Sequence, residues 1–470
     1  LAKDTHRPAD RVPLLLAVSS LAAILAPLNS TMVAVALPDI RDEFSLSHGT
    51  AAWLVSGYLI AMAVAQPIGG RLGDQIGRER VLRAGLLAFL VLAVLIAFSP
   101  SFAVLAALRI AQAAAGAVLI PNGMALLRTH APPGQLGRLN GINGAVLSGA
   151  AAAGPLIGAA VLAVASWRWI FPISIPFIVA ALLLLPLLRS ESDERIPRTA
   201  FDWIGTALFS ALLTAVTLQL GALRGSRSLL ENSSLSLLTA AIAVLFVWWQ
   251  RRTPSPAAEW RLFRVPSFAA ATAYTLFTNL TMYTTLLMIP FFVREVQGKS
   301  TALSGLLLGA MSVLVAITSP FGGRLSDSWG RRPSAQLGAV LMFVSTMALL
   351  AGLSEDVSAA YLAACLAGLG LGLGLGVGAA NTAAVESAPR QLAGSAAGTS
   401  SMMRYAGSII GAGMLGGVLS SDTNELATFR LITLVVLVTA ALAVAAAMFM
   451  HRFAAFDHTE VSAGPAMEAV

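Results

Sequence analysis

The chain has 470 residues, of which 57% belong to the AVILMFWYC set and only 11% are charged, and its mean hydropathy is +0.79. Soluble domains carry about a quarter charged residues, so a string of two or three soluble domains is excluded and an integral membrane protein is expected. The net charge of +7 and pI of 10.3 invite a nucleic-acid reading, but the basic residues lie in short loops between apolar runs, where they orient helices in a bilayer.

Taken in chain order, apolar runs fall at roughly 13–38, 51–70, 81–98, 102–127, 139–165 and 169–188, then 202–223 and 235–249. Six more follow near 267–293, 302–322, 334–353, 357–385, 392–419 and 428–450. A spanning helix needs ~20 apolar residues, so an all-α integral membrane fold with 14 transmembrane helices is expected. The charged stretch 189–198 closes the first six spans, and 251–264 opens the last six. The expected organisation is an N-terminal six-helix half over 1–200 and two inserted helices over 201–255. A C-terminal six-helix half over 256–455 and a tail over 456–470 complete it. Residues 1–12 are too polar to form the apolar region of a signal peptide.

With the N-terminus inside, 21 of the 30 basic residues fall in cytoplasmic segments and 7 in outer ones. Arg109 and Arg404 are left within spans. The positive-inside rule then places both termini and the tail in the cytoplasm. The single cysteine, Cys365, excludes a disulfide framework and a thiolate metal site. The five histidines form no H-x-x-x-H pair, so no metal centre and no cofactor are expected.

A repeat lies inside the chain. Residues 66–81 read QPIGGRLGDQIGRERV and residues 319–334 read SPFGGRLSDSWGRRPS, an offset of 253. Both follow the second span of a six-span block, and parallel halves of this kind are a transporter architecture with the substrate site between them. Both copies must face one side, so the insert needs an even number of spans. In the loop itself Gly70 and Gly73 allow close packing, while Arg78 and Arg80 can pair with Asp74 across a tight turn.

These loops resemble the signature of the major facilitator superfamily, G-x-L-a-D-r-x-G-r-[kr]. Gly70, Leu72, Asp74, Gly77 and Arg78 match it, as do Gly323, Leu325, Asp327, Gly330 and Arg331 in the second copy. The resemblance implies a major facilitator fold of two six-helix halves and a conformational latch at the cytoplasmic side. Span five carries Gly141, Gly149, Gly154, Pro155 and Gly158, similar to the superfamily's exporter motif, with Ala150 and Ala159 as departures. Generic tight packing of small residues is the other reading. The run 167–176, WRWIFPISIP, with 201–205, FDWIG, resembles the fourteen-span drug/proton antiporter subfamily (QacA/EmrB type). An interfacial aromatic belt is its alternative.

Span four contains Arg109, Gln112, Gly116 and Asn122. An arginine inside a span costs at least ~2.5–3.5 kcal/mol on insertion scales, which makes it a functional candidate. In the family its partner is a carboxylate in span one, within L-D-x-T-x-x-N-x-A-L-P; here the string is LNSTMVAVALP, and Asn29 stands where the acid belongs. An asparagine takes up no proton near neutral pH. Coupling either uses an acid at a span end, Asp39 or Glu386, or is not of the familiar proton-driven kind. Arg109 without an acid disfavours cationic drugs and favours neutral, zwitterionic or anionic amphiphiles. Its structural alternative is pairing with backbone carbonyls and Gln112 alone.

Span nine is polar for a membrane helix. Tyr274, Thr278, Thr281 and Thr285 share one of its faces by helical spacing, and Asn279 and Tyr283 lie beside them. That face meets either a cavity or another helix. Span twelve alternates glycine from Gly368 to Gly378 and reaches Asn381. As a helix it has two small stripes, suited to sliding or to a fixed seam. Arg404 in span thirteen is a second embedded cation without an obvious acid.

The expected function is secondary active export of hydrophobic or amphiphilic small molecules, of the multidrug efflux type, by alternating access with protons as coupling ion. The alternative is a lipid or metabolite exporter or facilitator without conventional proton coupling, because of Asn29. A membrane enzyme would need convergent acids, His or Cys within spans, and the spans offer none. A monomer in a bacterial plasma (inner) membrane is expected, the arginine-rich and alanine-rich composition suggesting a GC-rich bacterium.

Overall fold

In lipid, every backbone polar group must be satisfied within the protein, which leaves helices as the economical solution for a chain of apolar runs. The computed structural model describes residues 8–130, 136–188, 202–221, 229–253, 256, 259–389, 392–418 and 425–452, and among these no strand occurs. The helices before the insert are α1 (Pro8–Glu43), α2 (His48–Ile76), α3 (Arg78–Ala97), α4 (Phe102–Ala117), α5 (Leu119–His130), α6 (Leu136–Val164) and α7 (Ile175–Leu184). The insert is α8 (Trp203–Gly221) and α9 (Leu229–Arg252). After it come α10 (Pro266–Phe291), α11 (Thr301–Trp329), α12 (Arg331–Gly352), α13 (Ala359–Glu386), α14 (Ala393–Val418) and α15 (Glu425–Met448).

Twelve helical segments among the described residues are long and apolar enough to cross a membrane. The fourteen expected spans include two outside that set. Of α6, the apolar stretch among the described residues is Gly149–Val164. In α14, glycine, serine and threonine surround Arg404. One expected span is broken in two: α4 and α5 part at Val118. Pro121 lacks the amide that would bond the Ala117 carbonyl, so the helix yields one turn before it. Asn122 holds the break, its Nδ2 donating to the carbonyls of Val118 at 2.7 Å and of Gly69 on α2 at 2.8 Å.

The two repeat loops have one geometry. α2 ends at Gly77 (φ 101°) and α11 at Gly330 (φ 105°), and each glycine also starts the next helix. That left-handed conformation strains any side chain with a Cβ, which is why the glycine recurs in both copies. Both turns lie at one end of the bundle, the repeat end. At the far end, serine side chains cap the incoming helices: Ser47 accepts from the Thr50 amide (3.1 Å) and Ser358 from that of Tyr361 (3.2 Å).

Glycine sets the helix spacing in the second group. On α13, a Cβ at Gly370 would lie 2.1 Å from the Met311 carbonyl oxygen of α11, and one at Gly372 would lie 2.4 Å from the Gly338 carbonyl oxygen of α12. The two expected stripes therefore bury against two different helices. The inserted α8 packs on α2 and α14, one helix from each side of the insert, and α9 packs on α8. Buried Asp202 joins the pair: it caps the Gly205 amide (2.7 Å) and accepts from Trp249 Nε1 (2.7 Å) and Gln250 Nε2 (2.8 Å).

The glycine contacts fix an expected outcome. Gly372→Ala meets backbone atoms that have no room to shift, an overpacking cost of about 1–3 kcal/mol, and should lower the melting temperature of the purified protein. Gly378→Ala, whose Cβ would meet nothing within 4 Å, should leave it unchanged; equal melting temperatures for the two variants would overturn this account of the seam.

Candidate functional site

The helices before and after the insert meet along α6–α11, α2–α14 and α1–α10. The motif expected on span five builds the first seam. A Cβ at Gly154 would overlap Thr31 Oγ1 of α1, and one at Gly158 would lie 3.3 Å from the Met32 carbonyl oxygen. Pro155, Leu156 and Ala159 face the other way, against Gly305 and Gly309 of α11. The small residues thus hold three helices together at a junction that spans both groups. Gly141 lies on α6, but its surroundings fall outside the described residues.

At the far end, polar contacts join the groups. Arg41 and His48 both bond Glu295, His48 at 2.7 Å, with Glu295 on the π-helical turn Phe292–Val296 that ends α10. Arg294 reaches Asp42 at 3.5 Å, and Thr301 donates to Asp39 Oδ2 at 2.9 Å. Glu43 accepts from Trp167 Nε1 (2.6 Å) and Arg168 (2.8 Å), so the aromatic string ties the end of α1 to the α6–α7 connection. Trp169 stays exposed beside a groove of about 600 Å³ formed with Phe98, Ser99 and Pro172. None of the expected site residues lines that groove.

At the repeat end, Arg78 and Arg331 each bond partners within their own group. Arg78 donates to Asp74 at 3.0 Å and to the Ala125 carbonyl at 3.1 Å. Arg80 donates to the Ile76 carbonyl (3.3 Å) instead of taking the expected place beside Asp74. Arg331 donates to Asp327 at 2.5 Å and grips Glu386 with Nε at 3.0 Å and Nη2 at 2.8 Å. Glu386 is therefore part of the second loop's ion-pair cluster. Gly70 approaches Pro121, and Gly323 faces open space.

Between the two ends lies a cluster contributed by both groups. Arg109 on α4 is 1% exposed. Its Nη1 donates to Gln112 Oε1 at 2.7 Å, the spacing of one helical turn. Its guanidinium carbon sits 4.1 Å from the Tyr58 ring centroid and 5.4 Å from that of Phe171. Its Nε and Nη2 have no hydrogen-bond partner among the described residues, nor have Gln112 Nε2 and both amide atoms of fully buried Asn29. Each unsatisfied buried donor costs about 1–3 kcal/mol, more for a charged group, and the ring contacts return only about 2 kcal/mol. Neither a carboxylate nor a backbone carbonyl answers the charge.

Arg404 on α14 has a similar environment. It donates to Asn381 Oδ1 of α13 at 3.1 Å, and its Nε is unpartnered. Tyr405, next to Arg404 on α14, packs in one cluster with Tyr58, the ring that covers Arg109. Tyr283 of α10 bonds Ser30 of α1 at 3.2 Å, next to Asn29. The structure thus pairs Arg109 with Gln112, Arg404 with Asn381, and Tyr283 with Ser30, the neighbour of Asn29.

Several other polar groups of α10 bond their own helix or a neighbour, whereas the hydroxyls of Tyr274, Thr284 and Thr285 have no partner among the described residues. Thr278 and Asn279 donate to carbonyls of their own helix (2.9 and 2.8 Å), and Thr281 bonds Thr439 of α15 at 2.9 Å. Tyr274 is fully buried, with its hydroxyl against Gly376 of α13. Sequence reasoning missed Tyr58, Phe171, Glu295, Thr301 and Tyr405. Scarcity was one usable signal: the chain has only 5 tyrosines, and Tyr58, Tyr283 and Tyr405 meet here.

The sequence profile described as Major Facilitator Superfamily matches residues 19–412. The MFS-type transporter YvkA of Bacillus subtilis is 31% identical over 397 residues, covering 84% of this chain and 88% of that one. Multidrug resistance protein Stp of Mycobacterium tuberculosis is 31% identical over 413 residues, covering 87% and 76%. The tetracenomycin C resistance and export protein of Streptomyces glaucescens is 28% identical over 436 residues, covering 89% and 79%. Among solved structures, a D-xylose-proton symporter aligns with a TM-score of 0.67 over 94% of this chain and 98% of the symporter. At 15% identity that is a likeness of fold alone. The protein is a multi-pass membrane transporter and not an enzyme, and the chain belongs to the major facilitator superfamily.

Proposed function

We propose that this transporter exports hydrophobic or amphiphilic small molecules by alternating access, as a fourteen-span member of the drug/proton antiporter type. The fourteen spans are the twelve long apolar segments together with α6 and α14. The basic residues, 21 against 7 by side, make the repeat end cytoplasmic and the far end external, in a bacterial inner membrane with both termini inside. The two six-helix halves rock about the α6–α11 and α2–α14 seams, and the protein works as a monomer. The names of two relatives, one a multidrug resistance protein and one a resistance and export protein, support the export direction.

One observation carries this reading. Polar contacts between the halves run from Ser30–Tyr283 to the far end, while Arg78 and Arg331 of the repeat loops bond acids of their own halves. That is a transporter closed to the outside, with its cytoplasmic latches set for one side of a rocking cycle. Asp39 is the acid best suited to sense that cycle, because its bond to Thr301 crosses between halves and must break when the outer side opens. Glu386, held by two nitrogens of Arg331, serves the latch better than a proton cycle. A facilitator without proton coupling is the second reading, favoured by buried Asn29 where a titrating acid belongs.

Cells expressing the protein should retain several-fold less of a lipophilic fluorescent dye from a panel of neutral, anionic and cationic dyes. A protonophore should abolish the difference, and Asp39→Asn should weaken it. Efflux that survives the protonophore would select the facilitator, and no efflux of any dye from cells with inserted protein would end the export reading.

The outer gate gives a separate test. Glu295 carries the Arg41 and His48 contacts and is 12% exposed, so Glu295→Gln should weaken closure by at least about 1.4 kcal/mol, a tenfold change in the open fraction. A cysteine at Ser30, in a Cys365→Ala background, should then react about tenfold faster with an externally added, membrane-impermeant maleimide. An unchanged rate would remove Glu295 from the gate.

A further inference from the structure

The central cluster has the donor pattern of an anion site and no anion of its own. In a guanidinium, Nε and Nη2 lie on one edge and point their N–H bonds in parallel, the fork that matches both oxygens of a carboxylate. In Arg109 these are the two nitrogens without a partner. Gln112 holds the opposite nitrogen at 2.7 Å, fixing the plane, and keeps its own Nε2 free as a third donor. Tyr58 and Phe171 flank the guanidinium and shield it. Asn29, fully buried with its amide unpartnered, adds a donor and brings no negative charge to compete for the fork.

A second, independent feature lies across the interface. Arg404 comes from the other half, next in α14 to Tyr405, which packs in one cluster with Tyr58, and its Nε also has no partner among the described residues. The chain's candidate acids are engaged elsewhere, Asp39 by Thr301 and Glu386 by Arg331. Two buried cations from opposite halves, neither bonded to an acid among the described residues, attract a negative group and repel a positive one.

We propose that Arg109, Gln112 and Asn29 form a carboxylate-binding subsite, and that the transported molecules are amphiphilic organic acids whose carboxylate docks on the Arg109 fork. The inference rests on the export reading above and specifies its substrate class. The planar fork favours a carboxylate over a spherical halide, and the flanking rings favour an aromatic or otherwise apolar body. Arg404 stabilises the same charge from the facing half, so that one ligand touches both moving bodies.

Three probes with one apolar body test it: 1-pyrenebutyrate, its methyl ester and 1-pyrenebutylamine. Binding to the purified full-length protein is read as energy transfer from its tryptophans to pyrene, against empty micelles, in gluconate buffer. The carboxylate should bind at least tenfold tighter than the ester, and the amine weakest of the three. Arg109→Gln should bring the carboxylate-to-ester ratio to within about twofold of one.

Asn29→Asp guards against a variant that merely fails to fold. It supplies an internal acid for the fork, so it should fold at least as well and still lose the carboxylate preference. Arg83→Gln, on an exposed ion pair with Glu79, should keep the wild-type ratio. A preference retained in Asn29→Asp would overturn the subsite, as would equal or tighter binding of ester or amine by the wild type. Millimolar chloride that removes the preference would reassign the cluster to a halide and overturn it too. Binding of ester or amine with no carboxylate preference leaves the export reading standing; binding of none of the three sinks both.

Discussion

A positive charge held at the centre of an apolar bundle needs compensation, and the way this chain compensates Arg109 shapes everything around it. One hydrogen bond from Gln112 and two aromatic rings do part of the work. A carboxylate at Asn29 would neutralise the guanidinium and lock α1 to α4. With an amide there, the charge is stabilised by rings on α2 and just before α7, and one edge of the fork has no partner among the described residues. The site is then electrostatically incomplete, a state that burial makes expensive and that a ligand of opposite sign would relieve. Under the proposed function, that charge would tie ligand binding to the balance between conformations.

The packing serves the same end by a different route. A rocking transporter needs stiff halves and seams that part cleanly. Glycines on α13 bring backbones of α11 and α12 into direct contact, which stiffens the second half, since backbone atoms have no rotamers through which to yield. At the α6–α11 seam the partners are again small, Gly305 and Gly309 against Pro155, Leu156 and Ala159. Flat, side-chain-poor surfaces hold by dispersion and release without leaving large groups unsatisfied. Charge is kept for the ends, where water can solvate Arg41, Asp42 and Glu295 once they separate.

Much of this was legible in the sequence, where local rules govern. The loop repeat announced its two turns because the left-handed positions at Gly77 and Gly330 admit little besides glycine. The double glycine stripe of span twelve followed from helical spacing alone. Arg109 stood out as a charge within a span, and the lack of an acid beside it was readable from Asn29. The rest depends on pairs far apart in the chain. Glu295 looks like an ordinary charge at a span end, and its partners Arg41 and His48 lie some 250 residues earlier. The polar face of α10 read equally well as cavity or contact, because threonines can bond their own helix's carbonyls and hide without any partner. The fourth span hid its break, since what holds it is the Asn122 amide, which donates to the Val118 carbonyl and to that of Gly69, 53 residues earlier.

The insert follows from parity. Two copies of a loop can face one side only if an even number of crossings separates the blocks that carry them, and α8 with α9 crosses and returns. The pair meets through Phe209 and Phe246, whose rings lie 5.8 Å apart. The α9 segment Glu231–Arg252 is not buried over its most apolar stretch, and polar bonds fasten it at both ends, Asp202 with Trp249 and Gln250 at one and Gln219 with Ser236 (3.0 Å) toward the other. Polar bonds in a low-dielectric setting are strong and directional, so they add to what packing supplies. α8 itself packs against both α2 and α14, one helix from each side of the insert. If the halves rock as proposed, the insert must move against at least one of them, because it touches both.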